Sequence, residues 1–129
     1  MRVYLDAAPV IYLVENVQPF AASVEAYLSR SAVELVASDL TRLECRVKPM
    51  REGDSSLLGQ FDAFFGAAVH EIVPLSRDVV DQATEVRARL GFRTPDAIHV
   101  AAAAIARCDV LLTNDHRLSR AVGIRVEVV

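Results

Sequence analysis

The residues whose type and setting invite chemistry are the carboxylates Asp6, Glu44, Asp96 and Asp115. Asp6 directly follows the apolar run Val3-Tyr4-Leu5, and Asp115 closes Val110-Leu111-Leu112-Thr113-Asn114. Both should therefore project from the C-terminal ends of buried strands, where neither acid has apolar surface to cover. Glu44 stands four residues after Leu40 and three before Val47. With Leu40, Leu43 and Val47 taken as the buried stripe of a helix, it sits on or beside the apolar face. An unpaired carboxylate there is costly to ionise and needs a cation, a metal or a proton. Asp96 lies in the first turn of a helix, which the helix dipole alone favours. Four acids converging on one crevice repel one another unless a cation neutralises them, and hard oxygen ligands of this kind suit Mg²⁺ or Mn²⁺.

Each acid also has a plainer reading. Asp6 can cap the helix that contains Pro9, Asp115 can serve a turn before His116, and Glu44 can pair with Arg42 or Arg46. His99 follows Asp96 by three residues and is read as a packed or hydrogen-bonded side chain, the commoner fate of a helical histidine. His116 is read as a loop residue. Arg42, Arg46, Lys48 and Arg51 crowd one segment near Glu44. They either form a solvated helix face or line a path for phosphates, with Arg42 and Arg46 the candidate substrate contacts.

The elements that must position these side chains follow from periodicity and punctuation. Arg2 to Leu5 reads as a strand, with Pro9 in an early helical turn. Phe20, Val24, Tyr27 and Leu28 share helical spacing, and Val33 to Ala37 follows as a strand. Ser38 can cap a helix that Pro49 and Gly53 end. A helix over 56–69 leads to a strand from Glu71 that Pro74 confines to a sheet edge or to its end. Ser76 caps the next helix, which carries Val79, Val80, Ala83, Val86 and Leu90 and closes at Gly91. Thr94 as N-cap and Pro95 at the first helical position start another, with Ile98, Ala101, Ala102 and Ile105 as its apolar stripe. Val110 to Thr113 and Ile124 to Val129 are the last strands, with Gly123 at the turn before the latter. Alternating strands and helices imply an α/β fold in one domain over residues 1–129, a central and mainly parallel sheet with helices on both faces. Ligands of such sheets bind outside the carboxyl ends of the strands.

Composition bounds the answer. The chain has 129 residues, 53% of them hydrophobic and 24% charged, which supports a packed core and excludes disorder. Cys45 and Cys108 are isolated and read as reduced core residues, neither a disulfide nor a zinc site. No run is long and apolar enough for a membrane span, so the expected place is the cytoplasm. A net charge of −3 lacks the broad basic footprint of a nucleic-acid-gripping domain, so any RNA contact must be local. Of the fourteen basic residues, all but Lys48 are arginine, which suits bidentate contacts to phosphate or carboxylate.

In order and spacing, Val3-Tyr4-Leu5-Asp6, Thr41-Arg42-Leu43-Glu44, Thr94-Pro95-Asp96-Ala97-Ile98-His99 and Leu112-Thr113-Asn114-Asp115 resemble the PIN domain of VapC-type toxins. The resemblance spans nearly the whole chain. It implies a PIN-like fold and a Mg²⁺- or Mn²⁺-dependent endoribonuclease of a toxin-antitoxin pair. The acidic quartet then maps onto Asp6, Glu44, Asp96 and Asp115 as catalytic and metal-holding residues. The family's polar strand-end residues map onto Thr113 and Asn114, placed to orient an acid or a water. A VapB-like antitoxin covering the acids and a homodimer are implied in the same way. Leu118 departs from the pattern, since similar toxins often carry an aromatic residue there, and the stretch from Met50 to Val69 matches no motif. A HAD-like phosphatase needs a second Asp two after the first, where this chain reads Asp6-Ala7-Ala8, and a receiver domain needs a late lysine, whereas Lys48 is the only one. A PIN-fold binding module without activity is the non-enzymatic alternative.

Overall fold

The computed structural model describes all of residues 1–129. Five strands, β1 (Arg2–Leu5), β2 (Glu34–Ser38), β3 (Glu71–Val73), β4 (Val110–Thr113) and β5 (Arg125–Val128), form one sheet in the order β3-β2-β1-β4-β5. Every neighbouring pair is parallel. The helices are α1 (Ala7–Glu15), α2 (Phe20–Leu28), α3 (Asp39–Arg51), α4 (Ser55–Ala67), α5 (Arg77–Leu90) and α6 (Thr94–Ile105), with a short 3₁₀ turn over His116–Arg120.

The period of the strands divides the core into two layers. Tyr4, Val36 and Leu111 face one side and pack with Val79 and Ala83 of α5 and Val100 and Ala101 of α6. Val3, Leu5, Ala37, Val110 and Leu112 face the other and pack with Val10, Val24, Cys45, Phe61 and Phe65 from α1 to α4. Val3, Tyr4 and Leu5 of central β1 are fully buried because both faces of the strand are covered, which is the rule for parallel sheets. Pro74 directly follows edge strand β3, where its missing N–H interrupts no ladder.

Chain order runs outward from β1 through β2 and β3, then returns to β4 on the other side of β1. The sheet therefore has its topological switch point between β1 and β4. Ligands of open parallel sheets bind at the carboxyl ends beside such a point.

Several local signals act as expected. Ser38 caps α3, its side chain accepting from the Thr41 amide while the Thr41 hydroxyl accepts from the Ser38 amide, an arrangement contributing about 1 kcal/mol. Gly91 closes α5 at φ 70° and Gly123 turns at φ 86°, conformations open to glycine because it lacks a Cβ.

Three local expectations need correction. On α3 the buried side is Thr41, Cys45 and Pro49, while Leu43 and Val47 point to solvent at 53% and 46% exposure. The spacing of Leu40, Leu43 and Val47 is helical, but the sheet takes the adjacent face. Pro49 is carried inside the last turn of α3 instead of ending it. On α6 the cap position falls to Arg93, with no side-chain cap bond, and Thr94 is already helical. Its buried side is Ala97, His99, Val100, Ala101, Ala102 and Ala103, so Ile105 is exposed, small residues allowing close approach to α5 and the sheet.

Candidate active site

Asp6 leaves β1 at the switch point. Its amide donates to Leu112 O at 3.0 Å, continuing the β1–β4 ladder by one bond. Its carboxylate is then gripped at both ends: Oδ1 accepts the Ala7 amide at 2.7 Å and Oδ2 accepts the Thr113 hydroxyl at 2.7 Å. Asp6 therefore caps α1 while its other oxygen is held at the β1–β4 switch point. Thr113 Oγ1 also accepts the amide of Asp115 at 3.1 Å, which ties the end of β4 to the end of β1.

Glu44 reaches the same place from α3. Its Oε1 lies 2.6 Å from His99 Nε2, and that nitrogen is also 3.3 Å from Asp6 Oδ1. Behind the ring, His99 Nδ1 is 2.7 Å from the hydroxyl of Tyr4. Tyr4 OH donates to Ser38 Oγ at 2.7 Å, and Thr41 Oγ1 donates to Leu5 O at 3.1 Å. Tyr4 is wholly buried and His99 is 2% exposed. No buried side-chain nitrogen or oxygen lacks a partner.

Nε2 faces two carboxylates and donates to Glu44, while the bond between Nδ1 and the Tyr4 hydroxyl runs in the direction the ring tautomer sets. Burial pushes the His99 pKa down, but the bond from Glu44 and the charges of Asp6, Glu44 and Asp96 outweigh it, and the net direction is up. Burial, aided by the charges of Asp6 and Glu44 and opposed by the Ser38 and Thr41 bonds, drives the Tyr4 phenol well above its ordinary range.

Asp96 and Asp115 lie outside the close trio of Asp6, Glu44 and His99, and each carries an arginine. Arg93 Nε is 3.3 Å from Asp96 Oδ2. Arg117 grips Asp115 more fully: Nε lies 3.0 Å from Oδ1, Nη2 2.7 Å from Oδ2, and the Arg117 amide 2.9 Å from Oδ1. That side-chain bond, against a smaller cost of burial, holds the Asp115 carboxyl below the usual range, with Arg93 adding to the effect.

Other expected participants sit elsewhere. Asn114 does not turn to the acids; its Nδ2 donates to Tyr12 OH at 2.9 Å. Glu44 pairs with neither Arg42 nor Arg46, because Arg42 bonds Asp39 at 3.3 Å and Arg46 bonds Asp62 at 2.9 Å. The guanidiniums beside the acids are those of Arg93 and Arg117. Leu118 is fully buried, which explains its apolar character. Both cysteines are free, and burial pushes Cys108 up to about 11 and Cys45 higher, so neither is poised as a thiolate nucleophile. His99 is packed and hydrogen-bonded as read, and its partner among the acids is Glu44, with Asp6 Oδ1 3.3 Å from the same nitrogen. Tyr4 carried a legible signal, since a buried phenol at the centre of an apolar strand needs a partner.

A family model for the PIN domain matches residues 3–124. The chain belongs to the PIN-domain family. No curated protein matches its sequence significantly. Among solved structures, this PIN domain superposes on a chain of the VapBC2 complex of Rickettsia felis, solved with a DNA fragment from its promoter. That match has a TM-score of 0.78 at 16% identity, covering 99% of this chain and 98% of that one. DNA-bound VapBC of Salmonella typhimurium matches with a TM-score of 0.76 at 18% identity and coverage of 99% and 98%. VapC20 of Mycobacterium tuberculosis, a sarcin-ricin-loop cleaving toxin, matches with a TM-score of 0.75 at 15% identity and coverage of 95% and 98%. At such identities the likeness is one of fold, and the fold is that of VapC toxins. The expected α/β architecture with a parallel sheet is therefore observed, and a phosphatase of the HAD type or a receiver domain is set aside.

The donor set is compatible with a divalent ion. Asp6, Glu44 and His99 each offer a ligand atom, all within 4.8 Å of one another. Carboxylate oxygens dominate, as Mg²⁺ and Mn²⁺ prefer.

Proposed function

We propose that this PIN domain is the toxin of a VapBC-like pair, a Mg²⁺- or Mn²⁺-dependent endoribonuclease that hydrolyses RNA phosphodiester bonds in the cytoplasm. The observation that carries the reading is the meeting of Asp6 and Glu44 at the β1–β4 switch point, with Asp115 linked to Asp6 through Thr113. A set of acids so placed has no apolar surface to cover.

In this reading Asp6, Glu44, Asp96 and Asp115 hold the ion. A divalent ion bound there supplies polarisation of the phosphate, a lowered pKa of an attacking water and neutralisation of the leaving oxygen. Thr113 keeps Asp6 turned toward the crevice. Arg93 and Arg117, at 64% and 61% side-chain exposure, are free to exchange an acid for a phosphate as substrate arrives. They join Arg42 and Arg46 as substrate-contact candidates, because the acids they pair with are Asp96 and Asp115.

The partners follow the same chemistry. A basic side chain from an antitoxin tail would take the position that Arg117 now holds on Asp115, blocking the crevice. A second copy of the chain would cover the exposed apolar strip of Leu43, Val47, Met50 and Leu75.

The test is cleavage of a mixed RNA pool by purified, antitoxin-free wild type and Asp96→Asn, each checked for folding, with Mn²⁺ or Mg²⁺ and with EDTA. Metal-dependent cleavage by wild type that the variant lacks is expected. Cleavage indifferent to EDTA and to the substitution would refute the metal-carboxylate reading, and a chain that binds no metal and cuts no RNA would be a binding module.

A further inference from the structure

We propose that His99, held from behind by Tyr4, is the positioning residue for Glu44, fixing that carboxylate relative to Asp6 by donating Nε2–H between them. The inference rests on the metal-site reading above and assigns a role to two residues outside the acidic quartet.

A glutamate on a helix, with three side-chain torsions, ordinarily samples several rotamers, and most of those open to Glu44 would carry its carboxylate away from Asp6. Neighbouring cations cannot hold it, because Arg42 and Arg46 are turned to Asp39 and Asp62. Its one hydrogen bond is to His99 at 2.6 Å. His99 is itself rigid, being 2% exposed and bonded through Nδ1 to Tyr4 at 2.7 Å, with the two rings edge to face at 5.7 Å.

The circuit is closed. Tyr4 precedes Asp6 by two residues in an extended chain, so both side chains leave on the same face and both meet His99. Tyr4 OH continues to Ser38 Oγ, the N-cap of the helix that carries Glu44. Strand β1, helix α6 and helix α3 are thus locked to one another by a run of bonds that ends at the two acids. Residues behind a ligand that fix its orientation commonly change metal affinity or activity by about 10- to 100-fold when removed.

The alternative, that His99 is itself a ligand, uses the same atom differently and is separable. His99→Gln places an amide N–H near the position of Nε2 and preserves donation, whereas His99→Leu removes it. Tyr4→Phe keeps the ring and removes only the support behind His99. Mn²⁺ affinity of the whole chain, read by calorimetry and by the loss of the free-ion paramagnetic signal, requires no RNA. His99→Leu should weaken Mn²⁺ binding by about tenfold or more, Tyr4→Phe should do so by less, and His99→Gln should restore most of the loss. Helical circular dichroism should stay at the wild-type level, and Tyr4→Phe carries the test if His99→Leu is poorly folded. Unchanged affinity in His99→Leu and Tyr4→Phe would overturn the proposal, and so would His99→Gln binding as weakly as His99→Leu. Wild type that binds Mn²⁺ but cuts no RNA would remove the nuclease reading and leave the affinity series to decide this one. Wild type that binds no Mn²⁺ would overturn both.

Discussion

The hydroxyl of Thr113 donates to Asp6 Oδ2 at 2.7 Å. Because Thr113 Oγ1 also accepts the Asp115 amide at 3.1 Å, the two acids that follow the central strands are not independent: one threonine sets where both begin. Thr113 is fully buried, so no water competes for that hydroxyl.

Replacing Thr113 with valine keeps the shape and removes the hydroxyl, leaving the Asp115 amide without its acceptor and Asp6 Oδ2 without its donor. Mn²⁺ affinity should fall by about tenfold, while Thr113→Ser retains it. Calorimetric titration of both variants decides this, and equal affinities would sink the idea that the hydroxyl holds Asp6.

How far the site could be read beforehand depends on which side chains announce themselves. Asp6 and Asp115 stand at the ends of apolar runs, so their place at the carboxyl edge of the sheet was legible, while the β1–β4 pairing that lets Thr113 join them was not. Glu44 was legible for an incomplete reason. Leu43 and Val47 suggested a buried stripe, yet the sheet packs against Thr41 and Cys45, and exposed leucine and valine on a neighbouring face imitate a core. His99 was read as packed or hydrogen-bonded, which it is, but its partner was not legible, because helical spacing from Asp96 gives a direction along α6 and not the distance to Glu44 on another helix. Arg93 and Arg117 were overlooked, since pairing across a turn depends on loop geometry that periodicity does not report.

The grip of Arg117 on Asp115 predicts competition between arginine and metal. Arg117→Gln should tighten Mn²⁺ binding in the absence of RNA, by roughly two- to fivefold, as befits an ion pair with an exposed partner. At the same time the Michaelis constant for RNA should rise, because a cation that can take phosphate is gone. The Asp115 carboxyl should move back up toward its ordinary range. A weaker Mn²⁺ affinity in Arg117→Gln would show that the arginine supports the site instead of competing for it.

For the metal-free protein, the raised pKa of His99 has a consequence for stability. Its folded value lies above the ordinary 6.5, so the contribution of the Glu44 bond and the Asp6 charge is complete below that value and is lost as pH rises through the folded one. The raised thiols act with the same sign, since Cys45 and Cys108 ionise more readily once unfolded, near about 8.5. The window that isolates His99 is therefore about pH 6.5 to 8. Urea unfolding in EDTA should show wild type losing stability across that window, with His99→Gln nearly flat. A flat wild-type profile, or imidazole resonances of His99 titrating below the ordinary value, would contradict the upward shift.

The apolar strip on α3 gives the last prediction. Leu43, Val47 and Met50 are 53%, 46% and 58% exposed, and with Leu75 they line one groove flanked by Asp39, Arg42 and Arg46. The two charge signs at its border allow a second copy, turned about a two-fold axis, to set its own arginines against Asp39 while the apolar side chains meet. Val47→Asp places an acid in the middle of that contact, at a position where the monomer's core is untouched. Light scattering should then report a dimer for wild type and a monomer for the variant, with thermal unfolding of the isolated fold little altered. Monomeric wild type at micromolar concentration would remove the dimer from the proposal and leave the strip to a different partner. A dimer undisturbed by Val47→Asp would move the interface to another face.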